Sequence, residues 1–103
     1  MSGYLWNPGP EVLNAIADLC HRYKVQELSV FGSALGPSFG PASDVDLLVT
    51  FQPNARISLI ELSRLQRELS QAIGWPVDLV TKPGLKPMIR DGILAQAQVL
   101  YAA

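Results

Sequence analysis

The chain has 103 residues, of which 49% are hydrophobic and 17% charged, and its eight Lys and Arg against nine Asp and Glu leave a formal net charge of −1. Such a composition excludes a disordered chain and predicts one domain spanning residues 1–103. Its short, interrupted apolar runs exclude a membrane helix, and its charge balance argues against an extensive nucleic-acid surface, although folding can still gather a small basic patch.

The opening residues place no basic stretch ahead of an apolar one, so a secretory signal is not expected. Tyr4 and Trp6 read as ordinary packing residues ahead of the first helix. That helix is announced by Asn7-Pro8-Gly9-Pro10, with prolines suited to a first turn. Val12, Ile16, Leu19 and Tyr23 then recur at helical spacing and predict one buried face. Cys20, the single cysteine, has no internal disulfide partner, which fits a reducing, cytoplasmic setting. Its neighbour His21 lies on the same helix, and neither has a partner ligand in sight, so both read as structural or surface residues.

Val25 to Phe31 predicts a strand ending at Gly32. Residues 32–43 contain three glycines and two prolines and predict a loop with room for one helical turn. Val45 to Phe51 is the clearest strand. Ser58 and Glu61 form a capping box, behind which Leu62, Leu65, Leu69 and Ile73 share a face and Arg64 can pair with Glu68. Gly74 ends that helix, and Trp75-Pro76 reads as a turn covering the core. Val77 to Val80 predicts a short strand, Lys86 to about Ala95 a helix weakened by Gly92, and Val99 to Tyr101 a last extended piece.

The chemistry concentrates at Asp44-Val45-Asp46. Residues i and i+2 of a strand share a face, so both carboxylates aim together while Val45, Leu47 and Val49 face the other way. Adjacent carboxylates repel unless a proton or a cation intervenes, and Mg²⁺, which takes oxygen ligands, would relieve them. A bare Asp-x-Asp also fits a turn entering a strand with both acids solvated. Gly32-Ser33 after the preceding strand would let backbone N–H groups approach an anion. Asp78, inside the apolar run Val77 to Val80, is costly there unless paired or metal-bound. No histidine or cysteine accompanies these acids, so an oxygen-only site is favoured over zinc.

Phe31-Gly32-Ser33, followed after ten residues by Asp44-Val45-Asp46, resembles the signature of the DNA polymerase beta nucleotidyltransferase superfamily, above all its small prokaryotic members, the minimal nucleotidyltransferase (MNT) domains. The run from Val77-Asp78 to Lys86-Pro87, with Arg90 and Ile93 before Val99-Leu100-Tyr101, resembles that family's third-carboxylate strand and closing helix. The resemblance covers about residues 12–101. It implies an α+β fold, a small mixed β-sheet with helices packed on it. It also implies that Asp44 and Asp46 bridge two Mg²⁺ ions, that Asp78 completes the second site and accepts a hydroxyl proton, and that Gly32 and Ser33 hold the β- and γ-phosphates of a nucleoside triphosphate, ATP by expectation. Members of this family commonly read Gly-Ser-Arg-x-Arg-Gly. Here Ala34 and Gly36 stand at the two arginine positions, and Lys82, Lys86 or Arg90 are the cations left to substitute.

Larger relatives carry added domains for a primer, a tRNA or an antibiotic, which disfavours a small-molecule acceptor here. MNT proteins accompany HEPN-type RNase toxins, and the implied function is transfer of AMP to such a toxin as its antitoxin. The alternative is a catalytically weak module that neutralises its partner by occlusion.

Overall fold

The computed structural model describes residues 8–35, 40 and 43–103; Tyr4 and Trp6 lie outside them. In chain order the elements are α1 (Pro10–Arg22), β1 (Val25–Phe31), a 3₁₀ turn (Gly32–Leu35), β2 (Val45–Phe51), α2 (Leu59–Ile73), β3 (Val77–Thr81), a second 3₁₀ turn (Lys82–Gly84), α3 (Pro87–Gln96) and β4 (Gln98–Ala102). The strands form one sheet in the order β3-β2-β1-β4. β1 is antiparallel to both β2 and β4, while β2 and β3 run parallel. The parallel pair requires a crossover, and α2 provides it. The result is a mixed sheet with helices packed on it, as the resemblance implies.

Both predicted apolar faces meet the same core. Ile16, Leu19 and Cys20 of α1 and Leu65 and Leu69 of α2 pack with Val45, Leu47 and Val49 of β2. Val12, Tyr23, Leu62 and Ile73 close around them as partly buried neighbours. Burying one such leucine contributes about 1.5–3 kcal/mol, so α1 and α2 are held mainly by this layer. The other sheet face is covered more thinly. Phe31, Leu48 and Leu85 are buried there against Val80, Ile93 and Ala97, and α3 buries none of its own residues fully. β2 is therefore covered on both faces along its middle, which explains why Leu47 and Leu48 are consecutive buried residues.

The capping box forms as expected, with the Ser58 hydroxyl accepting from the Glu61 N–H at 3.1 Å and the Glu61 carboxylate accepting from the Ser58 N–H at 3.3 Å. Gly74 ends α2 in the left-handed conformation, its N–H donating to the Ser70 carbonyl at 2.8 Å. α3 begins at Pro87 rather than Lys86, because proline suits the first helical position. One expected pairing is redirected. Among the described residues Glu68 forms its ion pair with Arg22 of α1, at 3.5 Å, rather than with Arg64, and it also accepts from the Tyr23 hydroxyl. Helix-to-helix packing outweighs the weak i, i+4 attraction within α2.

Candidate active site

β1 delivers the chain to Gly32, whose φ of +75° starts the 3₁₀ turn that leaves the sheet. A Cβ at this position would lie 2.4 Å from Oδ2 of Asp46. The residue is thus doubly required to be glycine, by its backbone conformation and by the carboxylate against it. The predicted single turn after β1 is present at Gly32–Leu35, and it starts against the Asp46 side chain. Ala34 within it is fully buried in the main core, so that position is committed to packing.

Asp44 and Asp46 straddle the start of β2. The parallel ladder aligns Val45 with Val77 and Asp46 with Asp78, and the Val45 N–H donates to the Pro76 carbonyl at 2.8 Å to fix that register. Residues in register share a face, so Asp46 and Asp78 stand side by side on neighbouring strands, while Val45, Leu47, Val77 and Leu79 serve the core. Edge strand β3 is tied to α2 by its Leu79 N–H, which donates to the Gln66 side chain at 2.9 Å.

Asp46 is half-buried between two exposed acids. Burial first, then the charge of Asp78, then that of Asp44, raises its pKa above the usual carboxylate value. Every charge named in that balance is negative. This is an arrangement that a divalent cation relieves, and its donors are carboxylate oxygens, which suit Mg²⁺. Among the described residues no three His, Cys, Asp or Glu side chains close into a ready-made cage. Mg²⁺ accepts that situation, since it commonly uses one or two carboxylates and completes its shell with water and substrate phosphates.

Of the expected substitute cations, Lys82 is carried away from the acids. Lys82 follows the far end of β3, four positions beyond Asp78, on a strand rising about 3.3 Å per residue. Arg90 turns a guanidinium N–H onto the Leu85 carbonyl at 3.4 Å. Lys86 is exposed at the start of α3. Cys20 is fully buried and His21 exposed, which leaves them the structural and surface residues expected.

Trp75 does more than cover the core. Its indole N–H donates to the Ser43 carbonyl at 2.6 Å, clamping the residue directly before Asp44. Two hydrogen bonds between Gly40 and Ser43, from the Ser43 N–H to the Gly40 carbonyl at 2.9 Å and from the Gly40 N–H to the Ser43 hydroxyl at 3.1 Å, steady the same approach. The contact from Trp75 spans 32 positions, and no local pattern announces it.

The sequence profile of the family described as nucleotidyltransferase domain matches residues 13–100. The protein adenylyltransferase MntA of Thermococcus cleftensis is 37% identical over 79 residues, covering 77% of this chain and 78% of that protein. A solved structure of a candidate minimal nucleotidyltransferase superposes with a TM-score of 0.70 at 34% identity, covering 84% of this chain and 86% of the other. A chain in the structure of the tri-AMPylated Shewanella oneidensis HEPN toxin in complex with MNT antitoxin shares the fold, with a TM-score of 0.64 at 23% identity over 89% of this chain and 71% of that one. From its profile match and its likeness to these proteins, the chain belongs to the nucleotidyltransferase domain family, in its minimal form.

Proposed function

We propose that the protein transfers AMP from ATP to a hydroxyl of a partner protein, and that this modification neutralises a HEPN-type toxin. The observation that carries the reading is the register of Asp46 with Asp78, with Gly32 held bare against the Asp46 carboxylate. The adenylyltransferase named among its relatives supports the transferred group, and the toxin–antitoxin complex of the same fold supports the acceptor.

In this reading Asp44, Asp46 and Asp78 hold two Mg²⁺ ions, which would neutralise the triphosphate and acidify the incoming hydroxyl. Gly32 and Ser33 bind the β- and γ-phosphates at the start of the 3₁₀ turn. Asp78, at the exposed edge, accepts the proton of the attacking hydroxyl. The hydroxyl oxygen bonds to the α-phosphorus, the bond from that phosphorus to the bridging oxygen breaks, and pyrophosphate departs with its electron pair. Positioning and charge neutralisation supply most of the acceleration.

A second reading is favoured by Ala34 and Gly36, which stand where the resembled motif carries its two arginines. Ala34 lies in the core, and neither position offers a cationic side chain. The protein would then neutralise its partner by occlusion, with the acids retained for binding only. Calorimetry of ATP with and without Mg²⁺, on wild type and on Asp44→Ala/Asp46→Ala, tests the site itself. Mg²⁺-dependent binding lost in the variant supports it, and silence at millimolar ATP sinks catalysis by the chain alone. Asp46→Asn then separates the two readings, because it ends AMP transfer under the first and spares protection under the second.

A further inference from the structure

Half of the chain's cations gather at the end of the sheet opposite the aspartates. Arg22 and Lys24 lie where α1 turns into β1, Arg56 in the connection from β2 to α2, and Arg64 in the second turn of α2. Together they line an open pocket of about 270 Å³. They are four of eight Lys and Arg in a chain of net charge −1. β1 and β2 are each seven residues long, which puts this pocket about 20 Å from Asp46.

The acids nearby are already engaged. Glu61, the one carboxylate lining the pocket, is held in the capping box by the N–H and hydroxyl of Ser58. Glu68 is drawn to the Tyr23 hydroxyl and to Arg22. Among the described residues, Lys24, Arg56 and Arg64 join no ion pair. The backbone also holds them together. The Gln52 N–H donates to the Lys24 carbonyl at 2.9 Å, and the Ala55 N–H to the Gln52 carbonyl at 2.9 Å, which brings the residue before Arg56 into a turn anchored on Lys24.

Lys24 itself has φ +59°, the left-handed region, and is the non-glycine residue with positive φ among those described. α2 makes the corresponding turn with Gly74. A lysine in this conformation carries a strain that glycine avoids, and what it gains there is a cation on the pocket wall.

We propose that this pocket is a second anion site that binds a small polyphosphate through Arg22, Lys24, Arg56 and Arg64. Three cations outside any ion pair among the described residues, with Arg22 beside them on Glu68, match a multiply charged anion better than a single carboxylate, and arginine pairs with phosphate through two N–H groups at once. The cluster is a compact concavity at one end of the sheet. A nucleic-acid surface would instead call for a basic stripe along a face.

The test is calorimetric titration of the full chain with inorganic pyrophosphate, in low salt and with a chelator present so that divalent ions are absent. Saturable binding is expected, weakening as salt rises. Arg56→Ala and Arg64→Ala, both exposed changes, should each raise Kd roughly tenfold, while Asp44→Ala/Asp46→Ala leaves it unchanged. Lys24→Gly should also weaken binding while its Tm stays equal to wild type or rises, which separates loss of the cation from loss of the fold. Absence of saturable binding at millimolar pyrophosphate overturns the proposal. So does binding that survives the arginine changes and disappears with the aspartates. Tenfold preference for a single-stranded oligonucleotide lacking terminal phosphates over pyrophosphate would assign the cluster to a phosphodiester backbone, and equally overturns it.

Discussion

Gly32→Ala and Gly74→Ala demand the same of the backbone and different things of the surroundings. The two glycines have φ of +75° and +76°, so each alanine incurs about 1 kcal/mol of left-handed strain. The gain from a stiffer unfolded chain is common to both and cancels in the comparison. At Gly74 the new Cβ meets nothing within 4 Å, whereas at Gly32 it would stand 2.4 Å from Oδ2 and 3.3 Å from Cγ of Asp46. The Asp46 side chain must turn aside, and leaving its rotamer costs about 1 kcal/mol more. Gly32→Ala should therefore cost about 1 kcal/mol more than Gly74→Ala. In a domain of this size each kcal/mol lowers Tm by about 4–8 °C, so thermal denaturation resolves the difference. Activity separates them further. Displacing a reactive group by about 1 Å costs on the order of 10²-fold, so Gly32→Ala should lose Mg²⁺-dependent AMP transfer to that extent while Gly74→Ala retains it. Equal stability losses, with Gly32→Ala as active as Gly74→Ala, would refute the claim that Gly32 is bare in order to seat Asp46.

Asp46→Asn should raise stability at neutral pH. The raised pKa of Asp46 means that its contribution to stability is present in acid and is lost as pH rises through its folded value. Removing one of two carboxylates about 5 Å apart on paired strands recovers roughly 0.8 kcal/mol in a water-like dielectric. Urea unfolding at neutral and acid pH reads this, and an asparagine variant less stable than wild type at neutral pH would count against the crowding of acids. Burial pushes the Cys20 thiol up to about 12 from 9.0, so above pH 9 the unfolded chain sheds a proton that the folded one keeps. Wild type should then lose about 1.4 kcal/mol per pH unit between those values relative to Cys20→Ala. Parallel pH profiles of the two would sink that assignment. Gly92→Ala, in the open on α3 with nothing within 4 Å of its new Cβ, should gain about 0.5–1 kcal/mol. A loss on denaturant unfolding would show that α3 is packed more closely there than described.

Periodicity marked what is local. The faces of α1 and α2, the capping box at Ser58, the stop at Gly74 and the alternation of Val45, Leu47 and Val49 each follow from a spacing of two, three or four residues, and each is found. That Asp44 lies near enough for its charge to bear on Asp46 was legible for the same reason. That Asp78 lies beside Asp46 depends on β3 adjoining β2, a long-range pairing that the parallel register supplies. What stayed hidden depends on contacts between distant segments. Glu68 turns to α1 because the two helices pack together. Trp75 reaches Ser43 across the β2–β3 pair. Arg22, Lys24, Arg56 and Arg64 scatter along 43 positions of a nearly neutral sequence and meet when β1 and β2 are folded back on each other. Lys82, a candidate cation for the phosphates, is carried about 13 Å from Asp78 by the direction in which β3 runs.

β2 carries a consequence of its own. Its head holds Asp44 and Asp46 with Asp78 alongside, and its tail leads toward Arg56 and the cations around it. The net charge of −1 therefore hides a separation of charge along the strand, an electric dipole running the length of the sheet. A molecule of this kind is drawn weakly by the field of a charged partner but is turned by it before contact. A cationic partner surface would meet the aspartate end first, and an anionic one the arginine end. Added salt would then slow correctly oriented encounters more than the net charge suggests.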